Sequence, residues 1–342
     1  MRQLVLILVL FLSFTIYAQK EDFSFINFDK ADSIANSCKG YSLRNLPVLT
    51  YNITQDLDTQ VEQFRAIYIW VCNNIESDYS FGESTLRHRK RMKNDSVSFS
   101  IWNAQVLPKV FKKLLNDKKT ICSGYAYLIK EMSALVGINC EIVDGYSRTT
   151  SHNIGEIDIP NHSWNAVKLN SKWYLADATM ASGYFDIDKN EFVKNYNDGY
   201  FLVSPELFLK KNYPLDLTWL LSENKTTLRQ FVDAPIVYGS TFKHTVTPIC
   251  PKILNTKITV NQEVVFKFKL KDETKIKNTR LVFSSGLKSK TINVTDLDIN
   301  NGIVELKYRF TKKGSYDVHL MVGADFVITY TVKVEKVKKN LL

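Results

Sequence analysis

The sequence predicts an α+β domain followed by an all-β sandwich in a chain of 342 residues. Helical periodicity dominates from about residue 57 to residue 137, and strand-like alternation follows it, an order typical of α+β domains. Beyond residue 230 only short alternating strands are predicted. The length suits two domains, and a hydrophobic content of 45% is enough to bury large cores. We expect the two domains at residues 19–234 and 235–342.

Residues 1–18 have the composition of a secretory signal peptide. Arg2 supplies a positive charge, an apolar run extends from Leu4 to Tyr17, and Ala18 is a small residue before a cleavage point. The run is shorter than the ~20 residues of a membrane-spanning helix. We expect cleavage before Gln19, export as a periplasmic or secreted protein, and no stable membrane span. The alternative is an uncleaved N-terminal anchor.

Three helices are predicted in the first domain. The stretch "TQVEQFRAIYIWVCNNI" begins at Thr59, which has capping-box spacing to Glu62, and Cys72 lies beside its apolar face as a structural residue. A second helical stretch, "WNAQVLPKVFKKLL", is interrupted by Pro108. The third, "CSGYAYLIKEMSALV", ends at Gly137.

The strands that follow place a histidine beside an aspartate. The segment "HSWNAVKLNSKWYLADAT" predicts a hairpin that turns at Asn170–Ser171. With these two residues in the turn, the numbers of directly opposite residues on the two strands sum to 341. Trp164 then lies opposite Asp177. His162 shares the face of Trp164 and is diagonal to Asp177, and a slip of one residue would break this arrangement. The hairpin therefore predicts an imidazole oriented by a carboxylate.

Residues 235–335 alternate between apolar and polar side chains in regular short runs. This pattern predicts an immunoglobulin-like sandwich that lacks the Cys–Trp–Cys signature of antibody domains. We expect that domain to bind a partner. The alternating residues are Val264, Phe266, Phe268 and Leu270; Val304, Leu306, Tyr308 and Phe310; Tyr316, Val318, Leu320 and Val322; and Phe326, Ile328, Tyr330 and Val332.

The net charge of +10 includes one dense patch, "RHRKRMK", between Arg87 and Lys93. We interpret this patch as a solvated loop, and the alternative is a surface that binds an acidic partner. Neither interleaved aromatic residues nor a recognisable motif accompanies it, so a nucleic-acid partner is excluded.

The cysteines indicate a reactive thiol rather than a metal site. They have no C-x-x-C spacing and no nearby histidine pair, so neither zinc nor another cofactor is predicted. Their number is odd, which leaves at least one thiol unpaired in an exported protein. The five cysteines are Cys38, Cys72, Cys122, Cys140 and Cys250.

Among these thiols, Cys122 opens the third predicted helix. There the free backbone N–H groups and the helix dipole favour the thiolate, and the same N–H groups can stabilise an oxyanion. His162 is the predicted base and Asp177 its orienting acid. His152 is the competing base, ranked lower because no carboxylate-bearing strand is paired with its loop.

Two segments, "TICSGYAYLIKEMSALVGINCEIVDGYSR" and "NHSWNAVKLNSKWYLADAT", resemble the transglutaminase-like superfamily. The resemblance is to its kyphoscoliosis peptidase-like branch and covers roughly residues 57–222. It implies a papain-like core in which Cys122 is the nucleophile, His162 the base and Asp177 the acid. It also implies a thiol enzyme that acts on peptide or glutamine amide bonds through a thioester, with hydrolysis favoured over cross-linking. The alternative is an inactive module that binds peptide or glycan.

Two positions depart from the family pattern. Thr120 stands where a glycine is usual, and Met180 stands where a tryptophan is frequent. Both departures are expected to reshape the cleft without removing a triad atom. The second oxyanion donor is left open, with Trp102 and Gln105 the nearest upstream candidates.

Overall fold

The computed structural model describes residues 20–336 except 151, 224, 271–277, 287, 294–297 and 301. The predicted signal peptide lies outside these residues. Within them, a helical region precedes a four-stranded antiparallel sheet, and two further sheets of four and six strands follow. The predicted class, α+β followed by a β-sandwich, is confirmed. No helix in the described ranges combines the length and apolarity needed to cross a membrane.

The helices are concentrated in the first region. Short 3₁₀ turns occur at Lys20–Phe23, Leu43–Asn45, Asp198–Tyr200 and Leu217–Leu220. The α-helices are α1 (Asp29–Ser37), α2 (Leu46–Thr54), α3 (Gln60–Asn74), α4 (Tyr79–Arg91), α5 (Ser96–Asp117), α6 (Cys122–Leu135), α7 (Ala178–Ser182), α8 (Pro205–Phe208), α9 (Leu228–Asp233) and α10 (Gly239–Lys243).

The strands of the first region form one four-stranded sheet and two small pairs. The sheet has the order β5-β4-β3-β8, with β1 beside β2 and β6 beside β7. These strands are β1 (Glu76–Ser77), β2 (Lys119–Thr120), β3 (Cys140–Ser147), β4 (His162–Leu169), β5 (Lys172–Ala176), β6 (Gly183–Asp186), β7 (Glu191–Lys194) and β8 (Asn212–Pro214).

The strands of the second region form two sheets, β10-β12-β16-β15 and β11-β18-β17-β13-β14, and β9 pairs with β18. Phe266 of one sheet packs edge-on against Tyr330 of the other, with ring centroids 5.3 Å apart. The two sheets therefore meet through their alternating apolar faces. These strands are β9 (Ile236–Val237), β10 (Val246–Cys250), β11 (Asn255–Thr259), β12 (Glu263–Leu270), β13 (Thr279–Ser285), β14 (Lys288–Asn293), β15 (Asp298–Asn300), β16 (Ile303–Arg309), β17 (Gly314–Val322) and β18 (Asp325–Glu335).

The two regions contact each other through a shared hydrophobic core. Tyr200 stacks on Phe242 with ring centroids 4.3 Å apart, and Phe242 is fully buried. The domain boundary at residues 234 and 235 stays a prediction, since contact between regions does not decide whether each folds alone.

Local sequence signals explain α3 and the β4–β5 hairpin. Thr59 and Glu62 form both hydrogen bonds of a capping box at the start of α3. Asn170 (φ 47°) and Ser171 (φ 64°) have the two positive φ angles of a type I′ turn. Ala166 pairs with Leu175, which confirms the predicted register.

Two sequence predictions about helices are wrong. Helix α5 continues through Pro108 without interruption. Proline removes one helical hydrogen bond, and Ala104, whose carbonyl loses it, is exposed and therefore accessible to water. The patch "RHRKRMK" is not a loop, since it begins inside the last turns of α4. Basic side chains are stabilised there by the negative end of the helix dipole.

Candidate functional site

Cys122 is the first residue of α6 and is half-buried. Its predecessor, Ile121, is an N-cap that supplies no side-chain hydrogen bond. By helix geometry, the N–H groups of Cys122 and Ser123 have no carbonyl partner within the helix. Cys122 is therefore held where an anionic sulfur is stabilised by backbone dipoles.

His162 and Asp177 meet across the end of the β4–β5 hairpin. His162 begins β4, Asp177 follows β5 directly, and His162 Nε2 lies 2.7 Å from Asp177 Oδ2. Both side chains are buried. Because Nε2 faces the carboxylate, Nδ1 is the ring nitrogen left for a thiol. The predicted hairpin register thus places this pair together.

The two oxygens of Asp177 have different partners. Oδ2 binds His162, whereas Oδ1 accepts a hydrogen bond of 3.0 Å from the backbone N–H of Met180 and so caps α7. Asp177 therefore has two roles, contact with His162 and capping of α7. One carboxylate fills both because each needs only one oxygen.

Further contacts that the sequence analysis missed hold Asp177 in place. Asn212 Nδ2 lies 3.4 Å from Asp177 Oδ2, and the Tyr68 hydroxyl donates to the backbone carbonyl of Asp177 at 3.0 Å. These partners are 35 and 109 residues away along the chain. No spacing rule connects such distant residues, so only the folded chain reveals them.

The helix that carries Cys122 is fixed to the strand that carries His162. Asn165, on β4, donates from Nδ2 to the backbone carbonyl of Ala126 on α6 at 2.9 Å. The Tyr125 hydroxyl donates to the carbonyl of Ile75, at the end of α3. Both bonds are buried, where hydrogen bonds are strongest and a lost partner is costly.

Charge and hydrogen bonding couple Cys122 to His162. Burial opposes the imidazolium, but the Asp177 carboxylate and the thiol outweigh it and raise the pKa of His162 to about 10. Burial also opposes the Cys122 thiolate, yet bonding to His162 and to the backbone of Ser163 lowers the pKa of the thiol. Both directions favour a thiolate–imidazolium pair.

A small cavity of about 220 Å³ opens beside this pair, below the roughly 300–1,000 Å³ usual for drug-sized ligands. An adjoining cleft shares two of its lining residues, His162 and Arg89. The cleft adds apolar side chains from Phe99, Ile159 and Leu215. The residues that line the cavity include Thr85, Arg89, Ser147, His152 and Met180.

The alternative residues have distinct positions. His152 lines the cavity, and its Nδ1 lies 3.2 Å from Thr149 Oγ1. Trp102 stacks on His88 with ring centroids 5.5 Å apart, and Gln105 is exposed. Neither of these two oxyanion candidates is among the residues that line the cavity beside Cys122.

The two departures from the family pattern also differ in place. Thr120 is buried under the start of α6, where a Cβ on Gly124 would collide with its hydroxyl. Met180 forms part of the cavity wall. Only the Met180 departure therefore changes the surface that a substrate would contact.

The described cysteines are free thiols, and Cys38, Cys72 and Cys140 are buried. Burial raises the pKa of Cys140 to about 12. Across the described ranges, no three His, Cys, Asp or Glu side chains are grouped as metal ligands would be. Cys122 thus differs from Cys140 in the direction of its pKa shift.

The helix-borne cysteine, the strand-borne histidine and the aspartate beside it lie within or at the edge of a region that matches a known family. Residues 48–178 match the family model of the transglutaminase-like superfamily, and the chain carries a domain of that superfamily. The resemblance detected in the sequence is therefore confirmed.

Curated relatives extend this likeness beyond the family model. The chain is 33% identical to human kyphoscoliosis peptidase over 209 residues, which cover 60% of this chain and 28% of that protein. It is 23% identical to Drosophila melanogaster hillarin over 64% of this chain and 26% of that protein. It is 25% identical to Caenorhabditis elegans Lim and transglutaminase domain protein ltd-1 over 68% of this chain and 31% of that protein. The match thus spans less than a third of each relative.

Proposed function

We propose that this protein is a thiol enzyme that attacks peptide or glutamine amide bonds through Cys122, His162 and Asp177. The contact of 2.7 Å between His162 Nε2 and Asp177 Oδ2, beside a cysteine at a helix N-terminus, carries the proposal. An imidazole held on one side by a carboxylate and on the other by a thiol is the arrangement that nucleophilic catalysis requires.

The reaction proceeds in two stages. The Cys122 thiolate bonds to the amide carbon, and the carbonyl electron pair moves to oxygen, where the first N–H groups of α6 stabilise it. The imidazolium of His162 gives its proton to the leaving nitrogen as the C–N bond breaks, which leaves a thioester and an amine. Water then attacks the thioester, loses a proton to the imidazole, and releases a carboxylic acid and the thiol.

Hydrolysis is favoured over cross-linking. A lysine amine would attack the same thioester to form an isopeptide bond, so the triad serves both outcomes. Similarity to proteins named peptidases supports hydrolysis, and the chain has no calcium-binding loop motif of the D-x-[DN]-x-[DN]-G type. We accordingly propose protein or peptide substrates with water as the acceptor.

The decisive experiment compares products made by the wild type and by Cys122→Ala. A protein mixture incubated with each is examined by mass spectrometry for cleaved, deamidated and cross-linked peptides. We expect new peptide termini or deamidated glutamines with the wild type alone. Cys250→Ala, which removes the other half-buried cysteine, is the matched control and should retain the products. Identical product lists from wild type and Cys122→Ala would refute the proposal.

A second candidate is an inactive module that uses the same cleft to bind peptide or glycan. Met180 favours this second candidate. It forms part of the cavity wall at a position where the family pattern frequently has tryptophan. Iodoacetamide labelling against pH separates the two candidates. A catalytic Cys122 should reach half its maximal labelling rate well below pH ~8.5, where an ordinary thiol titrates. A midpoint at or above that value would favour the binding module.

We also propose that the chain is exported, with cleavage between Ala18 and Gln19. The support is the positively charged start and the apolar run before Ala18. N-terminal sequencing of the protein recovered outside the cytoplasm would test it. A mature protein that keeps Met1 would contradict cleavage.

A further inference from the structure

Arg89 is a cation in the cleft wall that the proposed reaction does not use. It lies on α4 within the basic run and is half-buried. Its Nε is fully buried and, within the described part of the chain, has no hydrogen-bond partner. A buried donor without a partner destabilises the fold unless a ligand or water satisfies it.

The neighbours of Arg89 in the basic run have other surroundings. Lys90 pairs with Asp158. His88 Nδ1 lies 2.8 Å from the backbone carbonyl of Ser84. Arg87 and Arg91 are exposed to solvent. Arg89 differs from all of these in pointing a buried, unpartnered donor into the protein beside the cleft.

Arg89 borders both the cavity that contains Cys122 and His162 and the adjoining cleft. Burial raises the pKa of Cys122, and the positive charge of Arg89 is among the causes that lower it, after His162 and the backbone of Ser163. A group bound next to the thiol would therefore lie within the field of Arg89.

Two buried hydroxyl groups line the same cavity. Thr85 is 5% exposed and Ser147 is 3% exposed, and neither side-chain oxygen has a hydrogen-bond partner among the described residues. Thr85 lies four residues before Arg89 on α4, so the two share one face of the helix. Thr85, Ser147 and Arg89 can therefore all donate hydrogen bonds to a bound group, and none of them carries a negative charge.

The nearby acidic side chains do not neutralise Arg89. Asp78 pairs with Lys113, and Asp144 accepts a hydrogen bond of 2.6 Å from the Ser163 hydroxyl. Glu83 lines the cavity without forming an ion pair with Arg89. Among the described residues, no carboxylate lies within 4.0 Å of the Arg89 guanidinium nitrogens, the limit for an ion pair.

We propose that Arg89 determines specificity by binding a carboxylate of the substrate, so that acidic peptides are preferred. Arginine suits this role because its guanidinium binds a carboxylate through two parallel hydrogen bonds. Thr85 and Ser147 supply further donors to the bound group. The inference rests on the proposed function, because it places the acidic group beside the amide that Cys122 attacks.

The test compares two alkylating reagents that differ in charge. Iodoacetate carries a carboxylate next to its reactive carbon, and iodoacetamide carries a neutral amide at that place. The rate of Cys122 labelling by each is measured by peptide mass spectrometry in wild type and Arg89→Gln. The ratio of the two rates cancels the thiolate fraction. A role of Arg89 confined to tuning the thiol would leave this ratio unchanged.

We expect Arg89→Gln to lower the iodoacetate-to-iodoacetamide ratio by about five-fold, the effect of one charge several ångströms away in a partly shielded cleft. Arg91→Gln removes the same charge from an exposed position on the same helix and should leave the ratio within error. Arg89→Lys keeps the charge and should retain most of the wild-type ratio, which excludes general damage to α4.

Two failures are distinguishable. Slow labelling of Cys122 by both reagents in the wild type would contradict the proposed thiol enzyme, yet the ratio stays measurable and still tests Arg89. A ratio that is the same in wild type and Arg89→Gln would overturn the carboxylate site. An equal drop in Arg89→Gln and Arg91→Gln would overturn it as well, since it would reduce the effect to net charge.

Discussion

The two regions of the molecule bury different kinds of side chain. Among the described residues, the buried acidic, basic and histidine side chains all precede residue 235: Arg65, Arg148, His162, Asp177 and Lys211. After residue 235 the buried polar side chains are three threonines, Thr241, Thr279 and Thr329. The first region therefore pays a desolvation cost that the sandwich avoids.

Buried charges persist only with partners, and the first region provides them. Arg65 binds Asp32 through two bonds of 2.6 and 2.8 Å and also pairs with Asp198. Arg148 donates to backbone carbonyls, among them that of Ala234 at 2.6 Å. Burial lowers the pKa of Lys211 to about 8 although Asp177 opposes it. Such groups can position a site, whereas the buried side chains of the sandwich are almost all apolar.

The largest expected effect follows loss of the proposed base in the first region. His162→Ala should reduce Cys122 labelling at neutral pH to the rate of an ordinary thiol, because the imidazolium that stabilises the thiolate is gone. His152→Ala should leave the rate nearly unchanged, although His152 lines the same cavity. Site-specific iodoacetamide kinetics measure both variants. Equal losses would show that the base has been misassigned.

Asp177→Asn tests whether the buried carboxylate acts through charge. Turnover should fall on the order of 10²–10⁴-fold, because the imidazolium loses its partner. The pKa of His162 would fall and that of Cys122 would rise, so the midpoint of labelling should move to higher pH. Oδ1 of the asparagine can still cap α7, so Tm should change by only a few degrees.

Tm and labelling rate are measured on one preparation of this variant. Asp188→Asn is the matched control, because Asp188 is an exposed carboxylate that follows α7 in the chain. This substitution should change neither Tm nor the labelling rate. A folded Asp177→Asn protein with unaltered labelling would remove Asp177 from the triad.

Phe266→Ala tests the sandwich side of the comparison. Phe266 is 1% exposed and packs on Tyr330, so the substitution should lower the free energy of unfolding by about 3–5 kcal/mol. Lys269→Ala, exposed on the same strand, should cost less than about 0.5 kcal/mol. Denaturant unfolding gives the energies, and Cys122 labelling of the folded protein should be unchanged. Slower labelling would show that the regions are coupled.

The smallest effect concerns the contact between regions. Residues 235–336 expressed alone should give the circular dichroism of a folded β protein, with a lower Tm than the full chain. Phe242→Ala should cost about 0.5–1.5 kcal/mol more in the full chain than in the fragment, because only the full chain has the Tyr200 ring. An unfolded fragment would contradict the two-domain prediction.

The sequence predicted what depends on local rules. The turn at Asn170–Ser171 and the period of two along β4 and β5 fixed the register, and the register placed His162 diagonal to Asp177. Likewise, alternation alone identified four strands of the sandwich, β12, β16, β17 and β18. Pro108 misled the prediction because the Ala104 carbonyl, which loses its helical hydrogen bond, belongs to an exposed residue and is accessible to water.

By itself, then, the sequence determined the fold class, the hairpin geometry and the three residues of the proposed triad. Only the tertiary structure decided how that triad is supported and what faces it. Asn212 and Tyr68 reach Asp177 from distant segments, and Arg89 enters the cleft from a helix predicted as a loop. The physical reason is that local periodicity specifies faces of helices and strands. Which faces meet depends on packing between segments far apart in the chain.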